Sequence, residues 1–178
     1  MKLAIFLIMP LILGALTLSM AQTRPTMNLS TLAKQFADTN KGELRKATEE
    51  DLEALKKLKL PDSLVAFYRE HSPNGTIYGF VNLLPISEMV KESLEDAGPG
   101  RDVFPRGFVH FATMDGDAFC FDVSAGKEPR IVLFGHEEPL DFLTRKELLR
   151  DKGKVVALNL SDFFEKCLNE TLDRDPKY

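Results

Sequence analysis

The segment from Phe108 to Ser124, FVHFATMDGDAFCFDVS, constrains the fold more than any other part of the chain. Two runs of alternating apolar residues flank the dipeptide Asp115-Gly116. Such a dipeptide is typical of a two-residue type I′ turn, because both central residues of that turn need a positive φ. The segment therefore predicts a β-hairpin, which belongs to an antiparallel or mixed sheet.

Helical patterns precede and follow this hairpin. Thr48 is a good N-cap for a helix with acidic residues in its first turn, and Leu60-Pro61-Asp62 is expected to separate that helix from the next one. Further helices are predicted from about Pro85 to Gly98, at Phe142 to Leu149 and from Ser161 to about Leu172, and further strands at Thr76 to Leu84, Arg130 to Phe134 and Val155 to Leu158. This order predicts the α+β class, with a mostly antiparallel sheet and helices packed on it.

The composition suits one globular domain. The chain has 178 residues, of which 44% are hydrophobic and 28% are charged, and its formal net charge is -4. An acidic chain argues against nucleic-acid binding, which requires a basic face. It is compatible with a basic protein partner, although solubility alone also explains modest acidity.

The first 21 residues have the organisation of a secretory signal peptide. Lys2 supplies the positive charge, Leu3 to Leu18 form an apolar run, and the small residues of Ser19-Met20-Ala21 predict cleavage after Ala21. The alternative is an uncleaved membrane anchor, because the run nearly reaches the roughly 20 residues that a spanning helix needs. Pro10 and Gly14 interrupt the run and favour cleavage. We therefore expect a periplasmic or secreted protein, with membrane anchoring as the alternative.

Residues 22–45 are polar and poorly periodic. We interpret them as a linker that contains one helical turn around Leu32 to Phe36. A linker between an export signal and a domain fits either cleavage or anchoring. The domain itself is then expected to span residues 46–178.

Several short motifs follow one another along this domain. They are a Leu-Pro turn before a helix with a central aromatic residue, and a strand of the form Gly-Asp-x-aromatic-Cys-aromatic-Asp; the residues concerned are Leu60, Pro61, Phe67, Gly116, Asp117, Phe119, Phe121 and Asp122. With the closing helix at Ser161 to Leu168, this set resembles the SMI1/KNR4 (SUKH) superfamily over roughly residues 46 to 172.

The resemblance implies a protein-binding role on an α+β fold. Many members of the superfamily act as immunity proteins that bind and neutralise toxins. Fungal members suggest links with cell-wall regulation, so a structural or regulatory protein of the cell envelope is the alternative function. Members are mostly intracellular, and the signal peptide therefore implies an exported variant.

Two cysteines, Cys120 and Cys167, leave two interpretations open. In an exported domain they are candidates for one disulfide bond. Cys167 also lies on the apolar face of the last predicted helix, and Cys120 on a strand that we expect to pack on that helix. Free cysteine is among the most buried residue types, so two buried thiols are an equal alternative.

Neither a metal site nor a catalytic centre is expected. Asp115, Asp117 and Asp122 cluster near the hairpin, but they lack the spacing of a calcium loop. No G-x-S-x-G motif is present to supply a nucleophile. His110 is expected to reach Asp117 across the hairpin as a cross-strand pair. A hydrolase built on this pair, which is the least favoured hypothesis, would require a deep pocket near the turn.

Acidic residues are the remaining candidates for a functional surface. They lie in two groups that are separate in sequence, namely Glu88, Glu92 and Glu95, and then Glu137, Glu138 and Asp141. The plain interpretation is that they form solvated surface. The alternative is that they bind a basic protein partner such as a toxin. No cofactor is expected.

Overall fold

The computed structural model describes residues 27–137 and 139–177. The predicted signal peptide with its cleavage site at Ala21, the first residues of the predicted linker, and Glu138 lie outside these ranges. Within the described part of the chain, no helix is both long enough and apolar enough to span a membrane.

The described residues form helices and antiparallel strands, which confirms the α+β class. In chain order the elements are α1 Leu29–Thr39, β1 Leu44–Arg45, α2 Glu49–Lys57, α3 Asp62–Glu70, β2 Ser72–Pro73, β3 Asn82–Leu83, α4 Ile86–Leu94, α5 Pro99–Val103, β4 Phe108–Met114, β5 Asp117–Asp122, β6 Ile131–Phe134, α6 Arg145–Glu147, β7 Lys154–Ala157 and α7 Leu160–Leu168. Short 3₁₀ turns follow α5 and β5, and a π-helical turn follows α6.

The central sheet has five strands, β3 to β7, and each strand pairs antiparallel with the next one along the chain. β1 and β2 form a separate two-stranded sheet. The predicted hairpin is confirmed, because Met114 pairs with Asp117 across a two-residue turn. Asp115 and Gly116 in that turn have φ angles of 51° and 95°, as a type I′ turn requires.

One face of the sheet, which we call the helix face, carries the main hydrophobic core. Aromatic side chains of β4 and β5 pack there against α7. The rings of Phe111 and Phe121 are stacked 3.9 Å apart, and the Phe163 ring meets those of Phe111 and Phe119 at 5.1 Å and 5.9 Å. Each such aromatic pair adds about 0.5–1.5 kcal/mol to the stabilisation from burial alone.

The opposite face, which we call the loop face, carries a smaller core. It buries Phe108, Ala118, Cys120, Val132 and Phe134 of the strands against Val103, Leu140 and Leu148. Successive strand residues alternate between the two faces. A β-bulge after His110 interrupts this alternation in β4, so that Phe111 and Ala112 both belong to the helix-face core.

The two cysteines lie on different faces of the sheet. Cys120 alternates with Phe119 and Phe121 and therefore belongs to the loop-face core, whereas Cys167 of α7 belongs to the helix-face core. Both are buried free thiols, and burial raises the pKa of each. The disulfide interpretation is wrong, because the sheet separates the two sulfur atoms. The expectation that Cys120 faces the last helix is wrong for the same reason.

The interpretation of residues 22–45 as a linker is wrong from Leu29 onward. Asn28 caps α1, with its side chain accepting a hydrogen bond from the backbone of Thr31 at 2.8 Å. Leu32 and Phe36 of α1 are fully buried, and the Phe36 ring lies 5.4 Å from that of Phe164 in α7. Residues spaced four apart share one face of a helix, so a single apolar stripe anchors a segment that is otherwise polar.

Two further predictions of local structure need correction, and a third is confirmed. The expected strand Thr76 to Leu84 is reduced to β3, because the chain folds back and Ile77 pairs with Leu83. The last helix is capped by Asn159, whose side chain accepts from the backbone of Asp162 at 2.9 Å, and not by Ser161. The expected start of the first domain helix is confirmed, since Thr48 and Asp51 form a capping box.

Candidate protein-binding surface

The loop between β6 and α6 lies beside the connection between α4 and α5. Together they line a surface depression of about 410 Å³, whose polar lining residues include Arg101, Asp102, His136, Glu137 and Asp141. We call this site the acidic depression. The side chains of Glu137 and Asp141 are exposed at its edge, so their charges are available to a partner.

One end of the loop is attached to the hairpin. The carboxylate of Asp117 accepts hydrogen bonds from the ring Nδ1 of His136 at 2.6 Å and from its backbone N–H at 3.1 Å. The ring hydrogen bond with Asp117 raises the pKa of His136 above its usual value. Gly116 lies against the same ring, and a Cβ there would come within 3.1 Å of it. The turn glycine thus allows close packing as well as a positive φ.

The other end of the loop is held by Arg106. Its guanidinium donates to three backbone carbonyl groups, those of Asp102 at 2.8 Å, Leu143 at 3.0 Å and Asp141. The carboxylate of Asp102 in turn accepts from the backbone N–H of Leu140 at 3.1 Å. The Leu140 side chain is buried in the loop-face core. Loop residues 140–143 therefore have a defined conformation before any partner arrives.

The acidic residues of α4 form a separate group. Lys91 pairs with Asp96 at 3.2 Å and approaches Glu88 at 4.0 Å, which partly neutralises both carboxylates. Burial, together with the charges of Asp96 and Glu88, raises the pKa of Glu92. Glu95 is exposed. None of the predicted α4 residues lines the acidic depression, although Asp96 directly precedes its edge at Ala97.

The model of the SMI1 / KNR4 family (SUKH-1) matches residues 46–166, which is most of the chain. The chain belongs to the SMI1/KNR4 family. No curated protein matches it. The family includes immunity proteins and SMI1/KNR4 regulators, and α1 lies before the matched region although it is part of the same core.

The SUKH-1 motif strand ends in a buried ion-pair cluster. Asp122 is fully buried, and its carboxylate binds Arg130 at 3.0 Å and also Arg145. Arg145 lies over the ring of Phe108, with its guanidinium carbon 4.6 Å from the ring centre. Asp122 thereby connects β5 with the start of β6 and with α6. Asp117 connects the same strand with the acidic depression, so both motif aspartates have structural roles.

The other motif residues of this SUKH-1 domain lie away from the depression. Leu60 and Phe67 are buried in the helix-face core. Pro61 precedes α3 and borders a groove of about 630 Å³ that continues to Lys127. Ser63 donates a hydrogen bond to the backbone carbonyl of Lys127 at 2.5 Å and holds the two sides of the groove together.

The expected pair of His110 and Asp117 does not form. His110 lies opposite Cys120 in the sheet, and Asp117 bonds His136 instead. The His110 side chain is enclosed below Gly100, its Nδ1 lies 3.7 Å from the carboxylate of Glu92, and neither ring nitrogen has a hydrogen-bond partner among the described residues. Burial lowers the pKa of His110 to about 4. The histidine that borders a depression near the turn is His136.

Sequence reasoning missed Asp102, Arg106 and Phe142. The contacts of Arg106 with the loop join residues 35 and 37 positions apart, and no local pattern indicates such contacts. Phe142 has a signal in retrospect, because it is an aromatic residue inside the acidic loop sequence HEEPLDFLT. It is 71% exposed.

Proposed function

We propose that this SUKH-1 protein is an exported, non-enzymatic module that binds a basic protein partner through the acidic depression, and that it neutralises a toxin by covering it. The observation that carries the proposal is the loop held by Asp117 and Arg106. It presents the exposed carboxylates of Glu137 and Asp141 at the edge of the depression. Exposed surface carboxylates attract a basic partner and increase its association rate.

The proposed mechanism needs no covalent chemistry. A protein interface of standard size buries about 800 Å² and about 20–30 residues on each side, so binding at the depression also covers neighbouring surface. Steric blocking and charge complementarity are enough to inhibit such a partner. The enclosure of His110 supports the non-enzymatic part of the proposal.

The exported location rests on the N-terminal sequence. Lys2, the apolar run Leu3 to Leu18 and the small residues before Ala21 support cleavage and release. The toxin partner would then be met in the periplasm or outside the cell. If the segment stays attached, the same domain would act from a membrane surface.

A second candidate function is regulation of the cell envelope. The inclusion of SMI1/KNR4 regulators in the family, together with the export signal, favours it. This candidate requires binding to peptidoglycan or another cell-wall polymer. Such polymers lack the basic protein surface that the acidic depression would attract, so charge reversal at the depression should leave this binding intact.

The test is a pull-down with the full chain from its native cell envelope at physiological salt. A Glu137→Lys/Asp141→Lys variant should lose the protein partner recovered by the wild-type chain. The matched control is Glu128→Lys/Glu165→Lys, which makes the same charge change elsewhere on the surface and should retain the partner. Recovery of no defined protein, under conditions that capture a known immunity pair, would contradict the proposal.

A further inference from the structure

Phe142 directly follows Asp141, one of the residues that line the acidic depression. Its side chain is 71% exposed. An isolated exposed apolar residue is normal on a protein surface. Phe142 differs because its backbone is fixed on both sides.

The fixing contacts come from Arg106 and Asp102. Arg106 donates to the carbonyl groups of Asp141 and Leu143, which flank Phe142. Leu140 is held through its backbone N–H by Asp102, and the N–H of Leu143 donates to the carbonyl of Leu140 at 3.2 Å. With Leu140 buried and Leu143 packed on the loop-face core, the loop keeps Phe142 exposed.

An exposed aromatic side chain on a fixed backbone, next to an acidic residue in sequence, has the features of a binding hot spot. Hot spots are enriched in large side chains at the centre of an interface, and a polar rim around them excludes water. A loop that is already ordered loses little conformational entropy on binding. The lining of the depression carries more carboxylates than cations, namely Asp102, Glu137 and Asp141 against Arg101 and His136. The complementary surface is therefore an apolar pocket bordered by lysine or arginine.

We infer that Phe142 is the apolar anchor of the acidic depression, and that it inserts into an apolar pocket bordered by basic side chains on a protein partner. This inference rests on the proposed function and adds the residue at the centre of contact. Two other exposed apolar residues provide matched controls, Tyr78 at 72% and Leu158 at 73% exposed. Neither is adjacent to an acidic residue in sequence.

The probe is p-benzoylphenylalanine, a photo-crosslinking analogue of phenylalanine, placed at position 142 of the full chain in its native cells. Irradiation should join position 142 to one discrete protein, at an apolar residue that has lysine or arginine next to it in the partner's structure. The same analogue at position 78 or 158 should give no such adduct. Adducts from position 137 but none from position 142 would overturn the anchor and leave the proposed function standing. Absence of adducts from all four positions would overturn both.

Once crosslinking has identified the partner, affinity measurements with the purified, uncrosslinked partner test the Phe142 anchor separately from the proposed function. Phe142→Ala should weaken binding by about 30-fold or more, as hot-spot residues do, while Phe142→Tyr should retain most of the affinity. Tyr78→Ala and Leu158→Ala should change it less than about threefold. An unchanged affinity for Phe142→Ala, together with a loss for Glu137→Lys/Asp141→Lys, would refute the anchor alone. Thermal unfolding should be unaffected in Phe142→Ala, because that ring contributes little to the core.

Discussion

The helix face and the loop face of the sheet bury different kinds of side chain. The helix-face core packs aliphatic and aromatic residues of α1, α2, α3, α4 and α7 against those of the strands. The loop face buries fewer apolar residues, but the enclosed ionisable groups His110 and Asp122 also lie on this side. The two faces therefore contribute to the structure in different ways. Apolar area on the helix face supplies most of the stability, and polar contacts on the loop face give the surface loops their positions.

The largest loss of stability should come from deleting α1, which packs on the helix face. Burial of Leu32 and Phe36 contributes about 3–6 kcal/mol together, a large part of the 5–15 kcal/mol that stabilises a typical domain. A chain that starts at Lys46, where the family match begins, should lose cooperative urea unfolding followed by circular dichroism. A chain that starts at Met27 is the control and should keep it. An equal unfolding midpoint for both chains would show that α1 is not part of the core.

On the loop face, removing the buried carboxylate of Asp122 should cause the largest loss of stability. Asp122→Ala leaves Arg130 and Arg145 without their shared partner, and breaking a buried ion pair costs about 3–5 kcal/mol. Because both arginines are about one-third exposed and regain some hydration, we expect about 3 kcal/mol. Asp141→Ala removes an exposed carboxylate from the same side and should change stability by less than about 0.5 kcal/mol. Equal denaturant midpoints for the two variants would refute the structural role of Asp122.

The loop face should also make stability depend on pH through His110. Burial lowers the pKa of His110 to about 4, below its unfolded value of 6.5, so the unfolded chain binds the proton more readily. This contribution is fully present above pH 6.5 and is lost as the pH falls toward 4, by about 3 kcal/mol in total. His110→Leu should remove that slope in urea unfolding between pH 7 and 4. An identical slope in wild type and variant would mean that His110 does not control it.

His136 should make stability depend on pH in the opposite direction. Its hydrogen bond with Asp117 raises the pKa of His136, so its contribution is present below the unfolded pKa and is lost as the pH rises through the folded value. His136→Ala should therefore lower stability more at pH 5 than at pH 8. Thermal unfolding at the two pH values measures this, and a larger loss at pH 8 would contradict the assigned pair.

The smallest effect concerns the two thiols on opposite faces. Because the sheet separates Cys120 from Cys167, a reducing agent should leave the unfolding midpoint unchanged. Thiol titration of the denatured chain should find both groups free. A lower midpoint under reducing conditions would instead require a bridge and would contradict the separation of the two faces.

Sequence patterns predicted features set by neighbouring residues better than features set by distant ones. The Asp115-Gly116 turn, the capping box at Thr48 and the Leu60-Pro61 break depend on interactions within a few residues, and all three are found. The apolar spacing of Leu32 and Phe36 was also present, but the polar residues around them concealed it.

The loop face depends on contacts between distant parts of the chain. The bonds of Arg106 with the 140–143 loop, and of Asp117 with His136, join residues 19 to 37 positions apart. The bulge after His110 changes which face each residue of β4 occupies, so strict alternation misassigns part of that strand. Neither feature has a local signature, and the candidate surface was therefore predicted only as two separate acidic groups.

The most direct test of the account is hydrogen–deuterium exchange of the full chain with and without the protein that crosslinks at position 142. We predict slower exchange on binding in the segments 97–102 and 136–144, which contain the lining residues of the acidic depression, with no change in α1 or α7. Protection confined to the groove between Pro61 and Lys127 would contradict the account, because it would place the partner on a different surface.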